Sequence, residues 1–292
     1  MAAHGDFSMD RFGAGCPVVE EIGTYEGSRP QPIVNLETPF VRSRLKDAIE
    51  IDIGPRLFLL HHEAPVVSPD KRPTREEVEQ LALLAIGSDE TSATAHFESV
   101  RAQEHSFATL LTCFVAPAAR HLGELWKQDL CDFFDVTLGV GRLQGLMDRL
   151  DSADAIPVSD LRRRALLIVP PGETHVFGLK MVAKFLEATG WMVSFERISP
   201  ADNHAGTISQ EWVGVVGLTV GSAARLEIAA RTIARARRDS LNRRVSVMVG
   251  GNIFSENPRL VAQVGADAAG IDAPGAALLA SHLLTRQVAG RL

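Results

Sequence analysis

Three short stretches of the chain hold residues that could do chemistry together: Glu173-Thr174-His175-Val176-Phe177-Gly178, Thr219-Val220-Gly221 and Gly250-Gly251-Asn252. A histidine two residues after a carboxylate suits a metal-binding imidazole whose second nitrogen is oriented by an acid. That chemistry needs a neutral ring. The glycines add room, because a residue without Cβ lets a ligand or a neighbouring backbone come close. A lone His-x-x-Gly says nothing and a lone Gly-Gly is usually a turn, so the signal lies in the order and spacing of all three stretches. His204 and His282 have no such company and read as solvated or hydrogen-bonded side chains. The cysteines Cys16, Cys113 and Cys131 lack metal-type spacing, so neither a zinc site nor a disulfide is expected.

The elements that must position these stretches are legible around them. Residues 165–169 (ALLIV), 213–220 (VGVVGLTV) and 245–249 (VSVMV) are continuous apolar runs, 190–195 (GWMVSF) is a less regular fourth, and 268–271 a fifth. Amphipathic stretches of helical period separate them at 177–189, 223–237 and 257–264, and a last one covers 275–287. Fully apolar strands alternating with helices predict a parallel sheet covered on both faces. The expectation is a flavodoxin-like, Rossmann-type α/β domain over residues 158–292. Ligands of such sheets bind beyond the carboxyl ends of the strands, and each of the three stretches directly follows a strand.

Residues 74–150 read as a four-helix bundle. Thr74-Arg75-Glu76-Glu77 offers an N-cap with an acid at its third position, and Val78, Leu81, Ala82 and Ala85 follow at helical spacing up to Gly87-Ser88-Asp89. Further helices are predicted over about 89–104, 105–126 and 130–150. The helix, glycine turn and helix around Ile86 also invite a helix-turn-helix reading. Asp89, Glu90 and Glu98 flank that turn with only Arg101 to oppose them, so direct DNA binding is disfavoured. Residues 1–73 read as a flexible arm and linker with a short helix.

At 292 residues the chain has room for two domains, and 46% hydrophobic with 23% charged residues is ordinary globular composition. No apolar run has spanning length and the first residues lack a signal-peptide core, so a cytoplasmic protein with no membrane partner is expected. The net charge of −6 disfavours non-specific nucleic-acid binding.

Together, Glu173-x-His175-x-x-Gly178, Thr219-x-Gly221 and Gly250-Gly251 resemble the cobalamin-binding signature Asp-x-His-x-x-Gly, Ser-x-Leu, Gly-Gly. The resemblance implies that His175 displaces the nucleotide base and ligates cobalt from the lower face, oriented by Glu173 in place of the usual aspartate. Thr219 stands where a serine holds the displaced base. Gly250-Gly251 would let the nucleotide tail pass close to the backbone, and Gly221, in place of leucine, would widen the tail channel. Leu122-Gly123-Glu124-Leu125-Trp126 resembles the bundle motif that puts an aromatic over the corrin, which implies an upper-face role for Trp126. Related light-sensing regulators carry Glu-His further along, where this chain has Val136-Thr137, so an upper histidine would come from His4, His61 or His62.

In its closest form, LGELWKQDLCDFFDVTLGVGRLQ followed by ExHxxG, the chain resembles the AerR/PpaA family of photosynthesis-gene regulators. That resemblance implies a light-responsive antirepressor without chemistry of its own. Its cofactor would be hydroxo-, adenosyl- or methylcobalamin, and its partner a DNA-binding repressor of the CrtJ/PpsR type. Two competing readings are a corrinoid carrier protein of a methyltransferase system and a haem sensor using His175. Glu173 for aspartate and Thr219-x-Gly221 lean against the carrier.

Overall fold

The computed structural model describes residues 72–151, 155–198 and 206–289. Cys16, His4, His61, His62 and nearly all of the arm expected over 1–73 lie outside them, as does His204. The bundle and the α/β layers belong to one compact unit, and a second unit, Ala14–Ala64, lies outside the described residues.

The bundle starts at α1 (Arg75–Ile86). Thr74 accepts from the Glu77 N–H at 3.2 Å while Glu77 Oε2 accepts from the Thr74 N–H at 2.7 Å, so two donors of the first turn are satisfied reciprocally. Val78, Leu81, Ala82 and Ala85 face the core as their spacing predicts. α2 (Glu90–Arg101), capped by Asp89, buries Ala93, Phe97 and Val100. The third rod begins as α3 (Phe107–Thr109), widens into a π-helical segment (Leu110–Val115) and resumes as α4 (Ala116–Lys127). Pro117 accounts for the widening. It has no N–H for the carbonyl four residues back, and its ring would crowd that carbonyl. The wider spacing, with the Ala116 N–H on Leu111 O, lets the rod continue past it.

A second reciprocal cap, Asp132 with Asp135, opens α5 (Phe133–Asp148). Gly139 lets this helix cross close to its neighbours, since a Cβ there would come within 2.7 Å of Leu122 Cδ1 and 2.8 Å of Ile86 Cγ2.

The rest alternates strand and helix: β1 (Arg164–Val169), α6 (Phe177–Ala188), β2 (Met192–Arg197), α7 (Thr207–Gln210), β3 (Val215–Thr219), a 3-10 turn (Ala223–Arg225), α8 (Leu226–Asp239), β4 (Ser246–Gly250), α9 (Asn252–Glu256), α10 (Arg259–Gln263), β5 (Ala268–Gly270) and α11 (Ala273–Ala289). The strands are parallel in the order β2-β1-β3-β4-β5. β2 lies at an edge and exposes Ser194 and Phe195, which explains its irregular apolar pattern. Alternation along the strands splits the core into two faces. Ala165, Leu167, Val169, Val215 and Met248 pack with α6 and α11 and continue into the bundle, while Leu166, Ile168, Val216, Leu218 and Val247 pack with α8.

The bundle docks on α6. Lys184 Nζ donates to Asp148 O at 3.3 Å and Leu150 O at 3.1 Å, covering carbonyls at the end of α5, and Phe107 meets Phe185 edge-on with centroids 5.6 Å apart. Among the described residues, no helix is long and apolar enough to cross a membrane.

Candidate functional site at the carboxyl ends of the strands

The site begins with a tight turn after β1. The Glu173 N–H donates to Pro170 O at 3.1 Å, with Pro171 second in the turn and Gly172 third at φ +75, the type II pattern that demands glycine there. The turn folds the Glu173 side chain inward, leaving it 2% exposed. Its Oε1 accepts from the Thr174 N–H at 2.8 Å, the His175 N–H at 2.9 Å and His175 Nδ1 at 2.7 Å, and its Oε2 accepts from the Gly221 N–H at 2.8 Å. Burial alone would raise this carboxyl's pKa, but the hydrogen bonds from the His175 ring, the His175 backbone and the Gly221 backbone outweigh it and hold it at about 2. An ionised carboxylate can only accept, so Nδ1 carries the hydrogen and the lone pair of the neutral ring lies on Nε2. The His175 side chain is 31% exposed.

This wiring has an acid signature. Glu173 is depressed from 4.5 to about 2, so its stabilisation is present above pH 4.5 and disappears as the pH falls through about 2. We expect the unfolding midpoint to fall across that window. Glu173→Gln should flatten the fall and cost roughly 1–3 kcal/mol at neutral pH, because either orientation of the amide sets its NH2 against backbone donors. Thermal unfolding at pH 7 and pH 3 checks both.

Gly221 departs from its expected role. A Cβ there would stand 2.5 Å from His175 Nδ1 and 3.2 Å from Glu173 Oε1, so the missing side chain makes way for the histidine–carboxylate pair rather than widening a tail channel. Its N–H is one of the bonds that hold Glu173.

A slot opens beside this pair, between the sheet and the first turns of α6 and α11. Thr219, Gly250 and Gly270 are paired in one row across β3, β4 and β5, and Gly217 precedes Thr219 by two residues on the same face. Gly178 of α6 and Asp272 before α11 also line it, and the slot is open to solvent. A Cβ on Gly250 would meet nothing within 4 Å, so its missing side chain leaves the floor open. Gly251 is different in kind: φ is +128, and a Cβ would lie 2.1 Å from Val220 O. Thr219 Oγ1 donates to His175 O at 3.3 Å, linking the slot floor to the histidine loop.

The structure thus gathers Glu173, His175, Gly178, Thr219, Gly221, Gly250 and Gly251 at the strand ends. Trp126 stands apart on the bundle, half-buried in the last turn of α4. The sequence reading missed Gly217 and Gly270. The first shares Thr219's face by simple alternation, whereas the second is placed only by strand register. Among the described residues, no three His, Cys, Asp or Glu side chains converge as a metal cage. With Nδ1 held by Glu173, His175 has the donor chemistry to serve as a single ligand to a metal whose other positions a cofactor fills.

Fold and site define a cobalamin-binding α/β module preceded by a helical bundle, and residues 163–278 match the B12 binding domain. The chain belongs to the AerR/PpaA family. It is 31% identical over 174 residues to an uncharacterized 20.5 kDa protein in the bchF-crtJ intergenic region of Rhodobacter capsulatus, covering 59% of this chain and 90% of that one. The monomethylamine corrinoid protein of Methanosarcina barkeri has the same fold, with a TM-score of 0.54 at 16% identity over 70% of this chain and 97% of that one. A cobalamin-binding protein from Desulfitobacterium hafniense aligns over 70% of this chain and 98% of its own, with a TM-score of 0.36 at 19% identity.

Proposed function

We propose that this chain is a light-responsive antirepressor. In this reading it binds cobalamin through His175 Nε2 on the lower face of cobalt and acts on a DNA-binding repressor of the CrtJ/PpsR type, in the cytoplasm. The observation that carries the reading is the Glu173–His175 pair, tied through Thr219 to a neighbouring slot lined by glycines. Glu173 fixes the tautomer and aim of the ring, Gly221 makes room for both side chains, and Gly250 leaves space for the displaced nucleotide tail, while Gly217 and Gly270 let Leu167 and Ala276 pack against the slot floor. Bound as the adenosyl or methyl form, cobalamin supplies a cobalt–carbon bond that light breaks.

The upper face falls to the bundle, with Trp126 as the contact. Trp126→Ala should keep histidine ligation and speed exchange of the upper group, because a large aromatic supplies contact area without bonding the metal. Stopped-flow exchange of the upper ligand tests this. An unchanged rate would return Trp126 to ordinary packing.

Regulation then needs two arrangements of the protein with different affinities for the partner, since a ligand shifts an equilibrium only by differential affinity. Losing the upper group, with His4, His61 or His62 as a replacement ligand, supplies that difference. The repressor should be recovered strongly by the illuminated or hydroxocobalamin form, and weakly by apo-protein or the adenosyl form kept dark. Pull-down with these samples decides the matter: equal recovery in all would end the switch. A haem spectrum from purified protein, or turnover of a methyl group on cobalt, would favour the sensor or carrier reading instead.

A further inference from the structure

Side chains from other elements hold three carbonyls of the loop that carries His175. Pro171 O accepts from Arg225 Nη1 at 3.4 Å, Glu173 O from Arg197 Nη1 at 3.1 Å, and His175 O from Thr219 Oγ1 at 3.3 Å. The three donors come from the turn after β3, the end of β2 and the end of β3. Arg225 also lies against the backbone of Gly172, where a Cβ would be 2.3 Å from Nη1 and 3.1 Å from Cζ. Gly172 is therefore required twice, for its φ of +75 and for the guanidinium resting on it.

We propose that Arg197 and Arg225 are positioning residues that hold the His175 loop in its ligand-ready shape before a ligand arrives, an inference that rests on His175 being the cobalt ligand. Glu173 ties the N–H side of the loop: its two oxygens collect the Thr174 and His175 N–H groups and that of Gly221 on the neighbouring strand end. The arginines, together with Thr219, tie the carbonyl side. A loop held from one side only would populate conformers in which Nε2 is misdirected, and apparent affinity falls with the competent fraction.

Two readouts test the proposal on Arg197→Ala, Arg225→Ala and the double variant, with Arg225→Lys as the conservative control. In the apo-protein, amide exchange at Thr174 and His175 should speed up while the unfolding midpoint stays close to wild type. With hydroxocobalamin, affinity should fall about tenfold per arginine, the lower end of what groups supporting a metal ligand contribute. The fraction of bound cobalamin with its nucleotide base displaced should fall too, which a merely structural residue would not change. Arg225→Lys should recover part of both. Wild-type exchange and a wild-type displaced fraction in the double variant would overturn the proposal. If the wild-type protein takes up no cobalamin, the ligand reading fails on its own, and amide exchange still decides whether the arginines hold the loop.

Discussion

His175→Ala is expected to weaken hydroxocobalamin binding by more than about 100-fold, beyond the loss seen when only a supporting partner of a metal ligand is removed. The fold should survive. The ring is 31% exposed in a loop, and its removal empties no core position. Glu173 would keep its backbone donors at Thr174, His175 and Gly221, so the loop retains most of its ties. Spectrophotometric titration of the variant, with a thermal melt as control, measures both effects. Wild-type affinity in a folded variant would place the ligand elsewhere.

Gly250 and Gly251 should separate function from folding although they are adjacent. Gly251→Ala is expected to destabilise the protein by roughly 3 kcal/mol or more, because a residue with a Cβ at φ +128 adds backbone strain of about 1–3 kcal/mol. The rest comes from a Cβ 2.1 Å from Val220 O, which must push apart strands where the Val220 N–H donates to Gly250 O at 2.9 Å. Gly250→Ala places its Cβ in open space and should leave the melt unchanged while crowding the slot. Overpacking costs about 1–3 kcal/mol, here charged to binding, so cobalamin affinity should drop about tenfold or further. Cobinamide, which lacks the nucleotide tail, should bind the Gly250 variant and wild type alike. Equal losses for both corrinoids would mean that the slot does not receive the tail.

These contrasts show where the sequence was readable. Buried parallel strands are continuous apolar runs, so β1, β3 and β4 announce themselves, whereas β2 is blurred by its exposed edge. α7 and α9 are too short to establish a helical period and went unpredicted. Pro117 ordinarily signals a break, but the π-helical segment absorbs it and the rod continues. Glu173 and His175 were legible because their interaction is local. Gly221 was misread because its N–H and its missing Cβ act on a loop from another strand, which chain order does not reveal. Arg197 and Arg225 left no trace in any spacing, since long side chains that reach backbone carbonyls need no particular sequence interval.

The central claim is that cobalt takes its lower nitrogen from His175 and not from its own nucleotide base. Electron paramagnetic resonance of the reduced, cob(II)alamin-loaded protein tests this directly. One axial nitrogen splits the cobalt lines, and a nitrogen-15 nucleus gives a doublet where nitrogen-14 gives a triplet. With protein grown on nitrogen-15 histidine and unlabelled cobalamin, the account predicts doublets, lost again in the His175→Ala variant. Triplets from the labelled wild-type protein would mean that the nucleotide base still holds the metal, and would contradict the account.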